Sequence, residues 1–168
     1  MTVKIRPETP DDAKAIRDVT IAAFKTAPHK SGTEQDVVEA LRNSDALTVS
    51  LVAEVDGEIV GHVAVSPVSI SDGTPGWFGL GPISVHPKHQ RSGIGSLLME
   101  RALQRLKTQG AKGCVLLGDP NYYGRFGFKN IPELILPGVP AEYFQALEFG
   151  RSFPTGTVTY HDAFVVKS

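Results

Sequence analysis

A short turn rich in glycine and flanked by basic residues could bind an anion. Gly93 and Gly95 open an amphipathic stretch, and Lys88, His89 and Arg91 lie just before them. The first-turn amides of a helix have no intrahelical acceptors, and the helix dipole adds partial positive charge there. Glycines keep side chains out of the approach to those amides. We therefore predict that the ligand carries phosphate.

The turn also has a purely structural interpretation, and two familiar phosphate loops are excluded. Gly93 and Gly95 could serve only tight helix packing or a sharp turn. The sequence lacks the Gly-Lys-Ser/Thr ending of a nucleotide-triphosphate loop. Leu98 stands where a dinucleotide fingerprint would have its third glycine or alanine.

The strand that precedes this turn contains residues that disturb regular pairing. Gly79, Gly81 and Pro82 are unusual in a strand, and they predict a bulge that frees backbone amides for a ligand. The alternative is an edge strand that proline protects from aggregation.

The turn and its flanks resemble the central coenzyme-binding motif of the GNAT superfamily of N-acetyltransferases. The motif reads Val85-x-Pro87, then Gln90-x-x-Gly93-x-Gly95, then Leu97-Leu98. The resemblance covers nearly the whole chain and implies acetyl-CoA as cosubstrate, with no metal. It places the pantetheine arm and thioester on Ile83, Ser84 and Val85. Together with the turn, this predicts coenzyme contacts at Ile83, Ser84, Val85, Gln90, Arg91, Ser92, Gly93, Ile94, Gly95 and Ser96.

The resemblance also implies a general acid. A tyrosine four residues before a Gly-Phe pair often has this role in the superfamily, and Tyr123 precedes Gly127-Phe128 by that distance. A phenol is protonated at neutral pH and can supply a proton to a departing thiolate. We interpret Tyr122, Phe126 and Phe128 as an aromatic core cluster. Leu116 stands where the family usually has an asparagine that contacts pantetheine, and Asn121 is the candidate substitute.

No general base is assigned from the sequence. The candidates are Glu58, His62, His86, Asp119 and His161, each of which also has an ordinary structural interpretation, and water relays serve in this superfamily. The resemblance implies an acceptor site against the first two helices and the C-terminal strands, where Phe24, His29 and Tyr160 could contribute.

The elements that must position these residues follow from hydrophobic periodicity. We predict an α/β fold with a mixed, mostly antiparallel sheet and one parallel strand pair around the coenzyme-binding helix. The predicted helices begin at Thr9 and Thr33, span Ser92 to Gln109, and include Ala141 to Phe149. The predicted strands are Val3–Arg6, Leu51–Val55, Ile59–Val65, Trp77–Val85, Cys114–Leu117, Phe126–Asn130, Thr157–His161 and Phe164–Val166.

Composition limits the function. The 168 residues fit one domain, 1–168, and a net charge of -1 gives no footprint for nucleic acid. No apolar stretch predicts a membrane span or a signal peptide, so we expect a cytoplasmic protein. The single cysteine, Cys114, excludes an intrachain disulfide and is interpreted as a core residue. A homodimer is possible, because C-terminal strands in the superfamily are sometimes exchanged between subunits.

The predicted function is direct transfer of an acetyl group from acetyl-CoA to a primary amine of a small molecule or peptide. The first alternative is a non-catalytic sensor or partner-binding module that keeps the fold and binds CoA or acyl-CoA. The second is transfer to oxygen or transfer of longer acyl groups by the same site.

Overall fold

The computed structural model describes residues 2–27, 32–150 and 152–165. Within them the strands are β1 (Val3–Pro7), β2 (Val49–Val55), β3 (Glu58–Ile70), β4 (Trp77–Val85), β5 (Gly113–Leu117), β6 (Leu134–Ile135), β7 (Phe144–Glu148) and β8 (Gly156–Tyr160). The helices are α1 (Ala13–Lys25), α2 (Glu34–Asn43), α3 (Ile94–Thr108) and α4 (Pro120–Tyr123), together with short 3₁₀ turns. The α/β class is confirmed.

Local signals in the sequence set the first elements. The Thr9 amide donates to the Asp12 carboxylate at 2.7 Å, which closes a capping box in the 3₁₀ turn that leads into α1. The β2–β3 hairpin turns on Asp56 and Gly57, whose φ angles of 50° and 79° are those of a two-residue turn with both central residues left-handed.

The central sheet has the strand order β1-β2-β3-β4-β5-β7. Its neighbours pair antiparallel except β4 and β5, which are parallel and are connected through α3, as the sequence predicts. A second parallel pair, between β6 and β8, was not predicted. Strand β8 also pairs with the end of β3, which brings the C-terminal part of the chain back onto the sheet.

Helices cover both faces of this sheet. A Cβ atom at Gly61 of β3 would lie 3.1 Å from Leu98 Cδ1, so α3 packs closely on that face. On the opposite face Val52 of β2 packs with Ile16 of α1 and Val38 of α2. Burying each such aliphatic side chain contributes about 1.5–3 kcal/mol, so the helices hold the central strands firmly.

Three predictions for the C-terminal half are wrong. The predicted helix Ala141–Phe149 is a 3₁₀ turn followed by β7, which pairs antiparallel with β5 along its whole length. The predicted strand Phe126–Asn130 is reduced to one bridge between Lys129 and Ala146. For the predicted strand Phe164–Val166, the first two residues belong to the 3₁₀ turn Asp162–Val165, and the third lies outside the described residues.

Among the described residues, no helix combines the length and apolarity needed to cross a membrane.

Candidate functional site

Strand β4 carries the predicted bulge. Leu80 lies opposite Val65 of β3 and Ile83 opposite Val63, so β4 has two residues, Gly81 and Pro82, where β3 has one. Gly81 has a φ of 141°, which a side chain would disfavour. The first half of β4 pairs on both sides, so the edge-strand alternative is wrong.

The bulge coincides with a separation of β4 from β5. Their pairing runs from Trp77 opposite Gly113 to Gly79 opposite Val115, and the described register goes no further. On the other side, the His86 amide donates to the Val60 carbonyl of the neighbouring strand at 2.8 Å. Amides alternate in direction along an antiparallel strand, so those of Ile83 and Val85 point into the gap.

The turn after β4 presents the start of α3 to the same gap. Gly93 is the N-cap of α3, with a φ of 87°, and a Cβ atom there would meet no atom of the described residues within 4 Å. The Gln90 side chain donates to the Val85 carbonyl at 3.0 Å, which fixes the turn against β4. Gly93 therefore places no side chain over the start of α3, whose first amides have no intrahelical acceptors.

These features enclose a cleft of about 470 Å³, which we call the α3 cleft. It is lined by Ile83, Val85, His89, Gln90, Arg91, Gly93, Gly95, Ser96, Tyr122, Tyr123 and Arg125.

The charge of the α3 cleft favours an anion. Arg91 and Arg125 line it, and none of its described lining residues is acidic. The Arg125 guanidinium stacks on the Tyr122 ring at 4.6 Å from the centroid, which holds the charge at the rim. Helix α3 adds its N-terminal partial charge to these two cations.

Tyr123 lies in the same cleft on helix α4. Its ring packs so closely on Gly118 that a Cβ atom there would be 2.2 Å from Tyr123 Cε2. Burial, with smaller contributions from Tyr122 and Asp119, raises the pKa of Tyr123 to about 12. The phenol is therefore protonated at neutral pH and its position is fixed by packing.

The structure brings together seven of the predicted coenzyme residues in the α3 cleft: Ile83, Val85, Gln90, Arg91, Gly93, Gly95 and Ser96. Ser84, Ser92, Ile94 and Asn121 are not among its lining residues. Ile94 is a core residue, 1% exposed, and Ser84 is buried on the opposite face. The Ser92 hydroxyl donates to the His89 carbonyl, and the backbone amide of the exposed Asn121 donates to the Asp119 carboxylate.

Sequence reasoning missed Tyr122 and Arg125 as lining residues. The Tyr122 hydroxyl is 3.4 Å from Ser96 Oγ at the start of α3, so Tyr122 is a cleft residue and not the core residue we predicted. Phe128, in contrast, is a core residue with 3% exposure, as predicted. The available signal for Arg125 was a basic residue that follows the tyrosine pair 122–123 by two positions.

The candidate bases occupy structural positions. His62 is fully buried, and burial lowers its pKa to about 4. His86 and His161 each accept a backbone amide two residues later through Nδ1. Asp119 caps α4, and Glu58 is exposed at the hairpin.

A second cleft, of about 930 Å³, lies between α1, α2 and the C-terminal strands, and we call it the α1–α2 cleft. Phe24 and Tyr160 line it, as the predicted acceptor site requires, whereas His29 lies outside the described residues. The cleft also meets Leu80, Gly81 and Pro82 of β4.

Other reactive groups are few in the part of the chain that the structure describes. It contains no cluster of three or more side chains suited to hold a metal ion. Cys114 is fully buried, and burial raises the pKa of its thiol well above the usual range, so it is an unreactive core residue as predicted.

Comparison with known proteins assigns the family. The profile of the acetyltransferase (GNAT) domain matches residues 4–131. Strands β2 to β5, the bulge of β4 and the turn before α3 all lie within this match. The chain is an acetyltransferase of the GNAT family.

Two solved structures are similar over almost the full length. A GNAT family acetyltransferase from Brucella melitensis, in complex with acetyl-CoA, is 49% identical with a TM-score of 0.87, covering 97% of this chain and 98% of that one. The N-acetyltransferase YhbS from Escherichia coli, in complex with CoA, is 33% identical with a TM-score of 0.89, covering 99% and 93%. Phosphinothricin N-acetyltransferase of Streptomyces viridochromogenes is 31% identical over 127 residues, covering 71% of this chain and 67% of its own.

Proposed function

We propose that this protein transfers an acetyl group from acetyl-CoA directly to a primary amine of a small molecule or peptide. The observation that carries the proposal is the α3 cleft, which joins an open helix N-terminus to a strand gap with free amides. The cleft fits the coenzyme by chemistry: α3 and Arg91 face the pyrophosphate, and the gap beside β4 takes the pantetheine amides. The similar structures that contain acetyl-CoA and CoA support this assignment.

Acetyl-CoA supplies an activated acetyl thioester. The amides of Ile83 and Val85 donate hydrogen bonds into the gap, where they stabilise negative charge on the thioester oxygen. As the amine nitrogen bonds to the carbonyl carbon, the carbon–sulfur bond breaks and Tyr123 Oη protonates the sulfur. The amine gives its proton to water, and Tyr123 is reprotonated from solvent. A phenol whose pKa is raised to about 12 stays protonated until the thiolate forms.

The direct test measures thermal stability with acetyl-CoA and acetyl transfer to amines. Gly93→Glu places a carboxylate at the predicted pyrophosphate site. Gly110→Glu is its matched control, because Gly110 has a φ of 84° against 87° for Gly93 and both have open space around them. Both substitutions cost about the same backbone strain. At 100 times the dissociation constant, acetyl-CoA adds about 2.7 kcal/mol and raises Tm by several degrees.

We expect Gly110→Glu to keep the rise in Tm and Gly93→Glu to lose it. Equal loss in both variants, or no rise in the parent protein, would refute the coenzyme site. A rise in Tm without acetyl transfer to any amine would leave the coenzyme site intact and favour a sensor over an enzyme.

A further inference from the structure

The α1–α2 cleft is mostly apolar. Of its described lining residues, only Thr33, Glu34 and Tyr160 carry polar side chains, and none is basic. Its apolar walls include Phe24, Val37, Leu80, Leu136, Val139 and Phe164. A cleft of this size and character buries an apolar ligand body more favourably than a highly hydrated one.

The two clefts adjoin along one strand. Leu80, Gly81 and Pro82 of β4 line the α1–α2 cleft, and Ile83 and Val85 of the same strand line the α3 cleft. A ligand at the inner end of the α1–α2 cleft would therefore reach the bulge from which the free amides project. This continuity favours the second substrate as the occupant.

Tyr160 supplies a polar group at that inner end. A Cβ atom at Gly79 would lie 3.2 Å from Tyr160 Cζ, so the ring covers the last position at which β4 and β5 pair. The Tyr160 hydroxyl is buried and has no hydrogen-bond partner among the described residues. Burial raises the pKa of Tyr160 well above its usual range, so the group is a neutral hydroxyl that can accept an amine N–H.

We propose that the α1–α2 cleft binds the acceptor as a primary amine on an apolar aryl or branched-alkyl body, with the Tyr160 hydroxyl orienting the amine. This inference rests on the proposed function and adds the substrate class to it. An unpartnered buried hydroxyl is costly, and an amine that donates to it recovers that loss while its nitrogen lone pair stays directed at the thioester.

The first test compares kcat/KM for three amines with acetyl-CoA: 2-phenylethylamine, glucosamine and spermidine. We expect 2-phenylethylamine to exceed the other two by at least about tenfold, because neither of them buries a comparable apolar surface. A preference for glucosamine or spermidine would overturn the inference.

A pair of variants on α1 localises the effect. Phe24→Ala removes an aromatic wall of the cleft, and Ile21→Ala removes an apolar side chain on the same helix that is 41% exposed and outside the cleft. Phe24→Ala should raise KM for 2-phenylethylamine about tenfold and Ile21→Ala should not change it. Equal kinetics for the two variants would overturn the placement.

Tyr160→Phe separates an orienting role from a structural one. Removing an unpaired buried hydroxyl should leave Tm unchanged or raise it, and affinity for acetyl-CoA should stay the same. KM for 2-phenylethylamine should rise roughly three- to tenfold. A lower Tm with unchanged KM would make Tyr160 a structural residue and refute its role here.

Calorimetry of 2-phenylethylamine with the CoA-loaded protein distinguishes this inference from the proposed function. Binding that Phe24→Ala weakens supports the cleft even where no acetyl transfer occurs. Absence of binding overturns the inference, whether or not other amines are acetylated.

Discussion

Two neighbouring tyrosines of the α3 cleft, Tyr122 and Tyr123, differ in their surroundings. Tyr122 and Tyr123 are neighbours with rings at 89° and 4.8 Å between centroids, yet only Tyr123 is packed against Gly118. Tyr122 instead reaches Ser96 at the start of α3 and supports Arg125. The phenol of Tyr123 is therefore held protonated and fixed in position, whereas that of Tyr122 contacts the start of α3.

Tyr123→Phe should therefore lower kcat strongly, by about 10²–10⁴-fold, and leave coenzyme affinity unchanged. The ring keeps its packing on Gly118, so Tm should change little. Steady-state kinetics and acetyl-CoA titration measure the two quantities. Tyr122→Phe is the matched control, because it removes the neighbouring hydroxyl outside the proposed proton path. A normal rate in Tyr123→Phe would remove Tyr123 from the mechanism.

The gap beside β4 begins where the short parallel pair of β4 and β5 ends. Trp77, the only tryptophan of the chain, is 2% exposed and lies opposite Gly113 at the start of this pair. A Cβ atom at Gly113 would be 2.3 Å from Trp77 Cη2. The absence of a side chain at Gly113 thus allows β4 and β5 to pair beside Trp77, before the two strands separate at the bulge.

Gly113→Ala should destabilise the fold by about 1–3 kcal/mol, because the indole cannot yield without moving a strand. Gly150→Ala is the control, since a Cβ atom at that exposed position meets no atom within 4 Å in the part of the chain that the structure describes. Thermal unfolding followed by Trp77 fluorescence measures both effects. Similar Tm values for the two variants would mean that the strand pair tolerates the added methyl group.

Sequence signals at the element level succeeded where a local cause sets the structure. The Asp56-Gly57 turn, the glycines of β4 and the turn before α3 each carry their own conformational reason. The helix prediction failed at residues 144–148 because pairing with β5, a strand distant in sequence, overrides their helix-forming composition. Tyr122 and Arg125 were missed for the same reason, because their place in the cleft depends on how α4 meets α3.

At the scale of the whole molecule, a partly buried polar network joins the end of β1 and strands β2 and β3 to α2. Arg42 of α2 donates to Glu8 at 2.8 Å, and Ser50 Oγ lies 2.8 Å from Nε2 of the fully buried His62. Burial opposes ionisation of Glu8, but hydrogen bonds from Arg42 and Ser50 outweigh it and lower the Glu8 pKa. The network therefore requires a neutral histidine and an ionised glutamate.

Folding should consequently weaken in acid. The His62 pKa falls from an ordinary 6.5 to about 4 on folding, so between these values only the unfolded chain binds the proton. Its contribution is fully present above about pH 6.5 and is lost toward pH 4, at up to about 1.4 kcal/mol per pH unit. Denaturant unfolding at several pH values measures this slope. His62→Gln should flatten it in that window, and parallel curves for the two proteins would contradict the assignment.

If the coenzyme binds in the gap between β4 and β5, as proposed, the stability of the sheet would depend on the supply of acetyl-CoA. In a continuous sheet, a neighbouring strand would accept hydrogen bonds from the amides of Ile83 and Val85. Here the gap leaves room for a ligand in place of that strand. With its own amide groups, the arm of the coenzyme would complete the sheet as a non-peptide strand. The folded population, and with it the lifetime of the protein, would then increase with the supply of its cosubstrate.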